Sequence, residues 1–400
     1  MKYLYDALIV GAGPAGSYIA GELASQGHRV LVFEQQGKIG KATCCTGIVG
    51  KECFDTFPIG REAILREARS ARFFIPSGES FRLEKEATQA YIIDRHAFDA
   101  AMARRAQEEG AEYLMIAQVK DISLEKDFVR LEVNGKDQKA NFEGKVVVIA
   151  SGFSSRLAQS LGLGRSSDFV MGAQAEVETN ETDEVEVYFG NHIAPGFFAW
   201  LVPTYQGRAL AGLLSRHNTG SYLRNFLAEL SERGKIITPE VEIKYGGIPL
   251  KPLSKTSKER LLVVGDAAGQ VKPTTGGGIY FGLLSARIAA DTLHQALCDN
   301  NFTAKEFNIY EKKWRAMLSR ELRIDYVARR MFERLEDKQI ERAFHQIQAK
   351  HILESLLDST DFSFDWHSRL ILRGAKRLGV GWSLSLIWQL LRERLLRSRS

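Results

Sequence analysis

Three glycines, Gly11, Gly13 and Gly16, form a G-x-G-x-x-G array directly after the apolar run Tyr3 to Val10 and ahead of a helical stretch, Ser17 to Ser25. That spacing serves phosphate chemistry. The first glycine permits a tight turn, the second lets backbone approach a pyrophosphate, and the third allows helix to pack on strand, with the helix N-terminus facing the anion. Glu34 follows at the end of the next apolar run, where a carboxylate can accept hydrogen bonds from a ribose. Together these residues point to an adenine dinucleotide. The array alone does not separate FAD from NAD, and the deciding segment is Gly265-Asp266-Ala267-Ala268-Gly269, with Gly276-Gly277-Gly278 beyond it. An Asp at the tip of a strand returning beside the first can bond the ribityl or pyrophosphate part of FAD, and the later glycines aim backbone amides at the flavin ring. FAD is therefore the expected cofactor. The competing reading of Asp266 is a helix N-cap or turn residue.

These groups need elements to hold them. Tyr3 to Val10, Ser17 to Ser25 and Arg29 to Glu34 predict a beta-alpha-beta unit. Arg72 to Pro76 and Ser80 to Leu83 are short alternating pieces, and Asp94 offers an N-cap for a helix from Arg95 to about Glu109. Val119 to Val133 and Lys139 to Phe142 alternate like a meander turned at Asn134-Gly135, and Lys145 to Ala150 reads as a separate buried strand ending at Ser151-Gly152. From Arg165 to Ile248 the pattern is strand-rich with one helix near Ser221 to Arg233. Arg260 to Gly265 and a helix to Cys298 return to the first unit, and the chain beyond Phe302 is helical and charged. The expected fold is α/β with α+β character. Residues 1–165 and 249–300 form a Rossmann-like three-layer cofactor domain, with segments of the substrate domain intervening around 70–93. Residues 166–248 form an antiparallel-sheet substrate domain, and 301–400 a helical C-terminal region.

Composition bounds the function. Four hundred residues, 44% apolar and 26% charged, exclude a disordered, collagenous or polytopic membrane chain. Four cysteines make no disulfide framework for this size, which fits a reducing, cytoplasmic setting. The net charge of +5 sits in residues 361–400, so the body is neutral and no nucleic-acid partner is expected. The N-terminal apolar run leads straight into the glycine array without a cleavage site, so it does not read as a signal peptide, and no apolar run reaches the roughly 20 residues of a membrane span.

The chain resembles the geranylgeranyl reductase family of FAD-dependent oxidoreductases, within the p-hydroxybenzoate hydroxylase-like flavoproteins. Beyond the glycine array and the Gly265-Asp266 segment with Pro273, two segments carry the likeness. Cys45-Thr46-Gly47-Ile48-Val49 is similar to the family's cysteine loop beside the flavin. Pro195-Gly196-Phe197-Phe198-Ala199-Trp200-Leu201-Val202-Pro203 is similar to its P-x-x-Y-x-W-x-F-P signature lining a prenyl cavity, with Phe198 for Tyr and Val202 for Phe. Both replacements keep the wall apolar, while the tyrosine hydroxyl is lost. The resemblance implies that Ala15, Glu34, Cys45, Thr46, Ile48, Arg95, Val119, Asp266, Gly278 and Ile279 contact FAD, alongside Gly11, Gly13, Gly16, Gly152 and Gly277. It also implies that Pro195, Phe198, Trp200 and Pro203 line the substrate cavity. A competing reading of Arg95 is a solvated surface cation, and of Trp200 a core residue.

The implied reaction saturates double bonds of a geranylgeranyl chain on a lipid or pigment precursor. It needs a hydride on one carbon and a proton on the other, and Cys45 is the candidate acid or substrate-ordering group. Its plainer reading is a packing residue whose backbone touches the cofactor. Gly162-Leu163-Gly164 lacks the context of a second dinucleotide fingerprint, so electrons are expected from a transient external donor: ferredoxin, NAD(P)H or a deazaflavin. The rival readings are a flavin monooxygenase or halogenase and a non-catalytic prenyl-lipid carrier. Val380, Leu384, Ile387, Trp388, Leu391 and Leu395 recur at helical spacing beside arginines, a pattern that suits either peripheral contact with the inner face of a membrane or docking on protein.

Overall fold

The structure is a computed structural model and describes residues 5–349, 352 and 362–379, except 42, 43, 58, 59, 137, 154, 155, 181 and 206. In chain order the first elements are β1 (Tyr5–Val10), α1 (Pro14–Ser25), β2 (Val30–Glu34), β3 (Ile48–Gly50), α2 (Lys51–Thr56), β4 (Ile64–Ala68), β5 (Ser70–Phe74), β6 (Ser80–Glu84) and β7 (Ala90–Ile93). Then come α3 (Arg95–Glu108), β8 (Glu112–Met115), β9 (Gln118–Leu124), β10 (Val129–Asn134), β11 (Lys139–Ile149), α4 (Leu157–Ser160), β12 (Phe169–Glu178), β13 (Val185–Phe189), β14 (Phe198–Pro203) and β15 (Arg208–Ser215). The last are α5 (Thr219–Glu232), β16 (Ile243–Pro249), β17 (Ser257–Lys258), β18 (Leu261–Val263), α6 (Ile279–Cys298), α7 (Ala304–Phe332), α8 (Asp337–Ala349) and α9 (Ser368–Leu378).

The continuous apolar runs of β1, β2 and β18 mark strands covered on both faces, and they lie parallel in the order β18-β11-β1-β2-β8. On one face lie α1, α3, α6 and α7, closing a core around Ile9, Ile19, Val32, Phe281 and Trp314. On the other face β9 and β10 cover Leu8, Val147 and Val263, which completes three layers. One expectation needs correcting. Lys139 to Phe142 and Lys145 to Ala150 are not two strands but one, β11, whose first half pairs antiparallel with β10 and whose second half pairs parallel with β1. Gly144 is the joint: it lies opposite both Tyr5 and Val129, and a Cβ there would fall 2.8 Å from Leu8 Cγ.

The second sheet runs β16-β12-β15-β14-β13-β5-β6, with α5 packed on one face through Leu223, Phe226 and Leu227. Of the expected insertion at 70–93, β5 and β6 join this sheet, whereas β7 pairs with β3 and β4 in a separate three-stranded sheet. Ile92 of that small sheet packs with Val185, Val202 and Trp200 of the larger one.

Nor is the segment after residue 301 a body apart. Phe307, Tyr310, Trp314 and Leu318 of α7 are wholly buried in the first core, while Tyr326, about two turns beyond Leu318, belongs to the core under α5. At 1.5 Å per residue this 29-residue helix spans about 43 Å and ties the two sheets together. Trp314 also donates its indole N–H to Thr256 Oγ1 at 2.9 Å. Trp314→Ala should therefore cost about 3–5 kcal/mol, from the cavity and the unpaired threonine, read as a lower urea midpoint by circular dichroism.

Candidate cofactor and substrate site

The site begins where parallel strands end. Gly11 takes φ +107°, donates its N–H to Phe33 O at 2.8 Å, and approaches the returning strand so closely that a Cβ would lie 2.5 Å from Ala150 O. A Cβ on Gly16 would collide with the Gly11 carbonyl. Gly13 is different: a Cβ there meets nothing within 4 Å. It sits at the start of α1, where no side chain caps the free N–H groups and the first turn carries no acid. An anion can approach those donors directly. Ala15 flanks the same turn, its methyl 3.5 Å from a Cβ built on Gly265.

Around it the other strand tips gather. Glu34 Oε2 accepts from Ala12 N–H at 3.1 Å and Oε1 from Gln36 N–H at 2.8 Å, which fixes the carboxylate at the end of β2. Ala117 N–H donates to Glu34 O at 2.8 Å, and two residues on Val119 is buried in the core beneath, so it offers the site its backbone. Gly152, at φ +73°, opens onto space beyond the tip of β11. Gly265 N–H donates to Gln270 Oε1 at 2.8 Å, Gln270 Nε2 donates to Tyr310 OH at 2.9 Å, and Tyr310 OH to Val263 O at 2.8 Å, so a fully buried chain holds the turn after β18.

Asp266 projects from that turn with no protein hydrogen bond on its carboxylate. Burial pushes this carboxyl above the usual range, and Arg95 pulls it back. Only glycine fits opposite, because a Cβ at Gly278 would stand 2.6 Å from Asp266 Oδ1. Arg95 is the first residue of α3, whose cap Asp94 accepts from His96 N–H at 2.8 Å and Ala97 N–H at 3.1 Å. Its Nη2 donates to both oxygens of Asp99 at 3.0 and 3.1 Å, while the buried Nε has no partner. It is thus no solvated surface cation. Burial disfavours its charge, but the Asp99 carboxylate offsets this and holds the guanidinium protonated. An uncapped helix start, a half-buried carboxylate with no hydrogen bond among the described residues and a free guanidinium N–H fit the pyrophosphate and ribityl groups of a flavin dinucleotide.

Cys45 lies beside Arg95. Its Sγ accepts from Gly47 N–H at 3.4 Å, and Gly47, at φ +72°, presses within 2.5 Å (as a Cβ) of Ile93 O. Gln174 then joins the loop to the second sheet, donating to Cys45 O at 3.3 Å and accepting from Thr46 Oγ1 at 3.0 Å. Cys44 Sγ donates to Lys244 O at 3.5 Å, and burial pushes its thiol up to about 11. All four cysteines are free, and Cys53 is enclosed in the first core.

Gln174 also starts a row across the second sheet: Gln174, Gly212, Trp200, Val187 and Phe73 are successive cross-strand partners. The Trp200 indole lies across Gly212, where a Cβ would fall 2.5 Å from Trp200 Cζ2, and packs with Ile48, Ile92, Val187 and Val202. Its buried N–H has no partner. Phe198 is 6.0 Å from Trp200 and 6.3 Å from Phe189, extending the apolar wall. Strand alternation puts Phe198, Trp200 and Val202 on this face and Ala199, Leu201 and Pro203 on the other. Pro203 therefore does not line the wall as expected. Pro195 stands in the preceding loop, where Arg329 of α7 donates to Gly196 O and stacks 3.5 Å over Phe197.

Sequence reading missed the groups that hold the glycine loop ahead of α6. Lys272 and Asp365 form a buried ion pair at 2.7 Å, and Thr274 Oγ1 meets Asp325 at 3.2 Å and His367 Nδ1 at 2.7 Å. Gly277 and Gly278 follow, and Ile279 opens the helix. Gln174 had a signal, being a polar residue inside the apolar run of β12; Lys272 and Asp365, 93 positions apart, had none. The proposed amphipathic helix at Val380 to Leu395 lies outside the described residues. No helix among the described residues is long and apolar enough to cross a membrane.

This architecture is that of the FAD-dependent flavoproteins. A model of the lycopene cyclase protein family matches residues 6–366. Digeranylgeranylglycerophospholipid reductase of Methanosarcina acetivorans is 29% identical over 94% of this chain and 98% of its own, and that of Methanosphaerula palustris 31% over 87% and 91%. The chain belongs to the geranylgeranyl reductase family. In fold it is similar to a geranylgeranyl bacteriochlorophyll reductase-like protein from Thermoplasma acidophilum, at TM-score 0.81, 24% identity and 92% and 95% coverage. A halogenase solved with FAD shares the fold at TM-score 0.66 and 14% identity, covering 98% and 92%. Asp99→Ala leaves the enclosed Arg95 charge unpaired and should destabilise the protein by about 3–5 kcal/mol in urea unfolding; Arg95→Met in the same chain should recover most of that loss.

Proposed function

We propose that this chain is an FAD-dependent reductase that saturates carbon–carbon double bonds of geranylgeranyl chains carried on a lipid, drawing electrons from an external donor. The reductase names of its relatives, over nearly the whole chain, support the substrate class. The observation that carries the reading within this chain is the Gln174 junction, which sets the cysteine loop against the apolar face bearing Trp200 and Phe198. A C20 hydrocarbon needs such a wall beside the redox centre, since its double bonds offer no polar handle and must be positioned by shape alone.

FAD, once reduced, supplies the hydride. Gly13 and the open start of α1 would receive its pyrophosphate, Glu34 its adenosine ribose, and Asp266 with Arg95 its ribityl and pyrophosphate groups. Gly277, Gly278 and Ile279 present backbone amides where the ring would lie, held there by Lys272–Asp365 and Thr274. Trp200, Ile48 and Val202 exclude water from the chain. Cys45 Sγ gives the proton to the second carbon; Cys44 is the poorer donor because its S–H is spent on Lys244 O.

Anaerobic reduction of the flavoprotein with dithionite, followed by a geranylgeranylated lipid, should give flavin reoxidation and a mass gain of two hydrogens per double bond. A flavin that stays reduced until air is admitted would favour the monooxygenase reading instead. Cys45→Ala should slow single-turnover reoxidation by about 10²–10⁴, with Cys44→Ala near parent; an unchanged Cys45→Ala rate would remove that thiol from the proton step. Gly13→Val should purify with little flavin yet keep the melting temperature of the parent apoprotein, because the added Cβ meets no protein atom within 4 Å.

A further inference from the structure

We infer that His28, His294 and Cys298 form a zinc site on the back of the cofactor domain, at the far end of α1 from the glycine array. Their ligand atoms all lie within 4.8 Å of one another. His28 Nε2 and His294 Nδ1 are 3.0 Å apart, and Cys298 Sγ is 3.9 Å from the same Nδ1. A tetrahedral Zn²⁺ with Zn–N bonds of about 2.0–2.1 Å and a Zn–S bond of about 2.3 Å sets N···N near 3.3 Å and N···S near 3.6 Å, so the His28–His294 and His294–Cys298 separations each need to change by only a few tenths of an ångström.

The positions are built into rigid elements. His294 and Cys298 are four apart on α6 and so face the same side of the helix. His28 follows the end of α1: Gly27, at φ +83°, donates its N–H to Ala24 O at 2.9 Å, and His28 N–H donates to Leu23 O at 3.1 Å. That left-handed cap fixes the backbone that carries the imidazole. The two helices share a core through Ile19, Leu23, Leu293 and Leu297, so the ligands approach across a packed interface and not from loops. The adjacent carboxylate, Asp6, is held by Arg29 N–H at 2.9 Å and Lys145 Nζ at 2.7 Å and is not available as a fourth ligand. Cys298 is exposed, which leaves the fourth position to water.

The donor set selects the metal. Two imidazoles and one thiolate in tetrahedral placement suit zinc and disfavour magnesium or calcium, which take oxygen ligands. The ion would clip the end of α1 to the end of α6, about 18 Å along α1 from Gly13, so it braces the cofactor domain and takes no part in the flavin chemistry.

The test uses the full flavoprotein after dialysis against a chelator. Titration with Co²⁺ should give one ion per chain, with tetrahedral d–d absorption to the red of the flavin bands and a thiolate charge-transfer band, both displaced by Zn²⁺. His294→Gln and Cys298→Ser should each weaken Co²⁺ at least tenfold, and Cys45→Ala should leave the titration unchanged. Zn²⁺ should raise the melting temperature of the parent but not of Cys298→Ser, whose metal-free melting should equal the parent's because the side chain is exposed. Weak octahedral Co²⁺ absorption, or binding that survives both substitutions, would overturn the assignment.

Discussion

The site rests on how closely backbone meets backbone at the first turn. Gly11 and Gly16 let β1, α1 and β11 approach until carbonyls touch the space a Cβ would need, and every neighbouring strand tip is registered from there. Gly11 N–H bonds Phe33 O, Ala150 N–H bonds Val10 O, and Val264 N–H bonds Ile149 O, so the ends of β2, β1, β11 and β18 stay level. Level strand ends are what bring Gly13, Glu34, Gly152 and Asp266 to one crevice at the carboxyl edge of the sheet. A side chain at Gly11 would part the strands and scatter those groups together.

A second constraint joins the two sheets. In the row that leads to Trp200 on the substrate sheet, Gln174 satisfies both its amide ends on the cysteine loop. Burying a polar residue there is tolerable only because both partners are present, and the same bonds fix the distance between Cys45 and the wall. Gly212 opens the surface that the Trp200 indole covers, so a missing side chain on one strand positions a large one on the next. With Phe198 and Val202 in the signature, the wall presents carbon where the family pattern carries a phenol.

The C-terminal part of the chain is structural to this site. Tyr310 and Trp314 anchor α7 in the cofactor core, Arg329 grips the loop before β14, and the segment around Asp365 and His367 closes on the glycine loop. A buried pair such as Lys272–Asp365 adds little net stability over an apolar equivalent, but losing one partner strands a charge, so it enforces a single placement of the loop.

Much of this was legible in the sequence, for physical reasons that differ by element. The glycine array, the continuous runs of β1 and β18 and the Asp94 cap are local: their residue types determine turn, strand and helix start within a few positions. The family signature is local in the same sense, since Phe198 to Pro203 form one strand, although which of its residues face the wall is not. What tertiary structure decided is everything that depends on strand pairing. That β11 is one strand, that β7 leaves the substrate sheet, that Pro203 faces away from the wall, and that Lys272 meets Asp365 all follow from register and packing between distant segments. Side chains along a strand alternate faces with a period of two, so composition names the residues of a sheet, while only the pairing of strands says which of them look into the site.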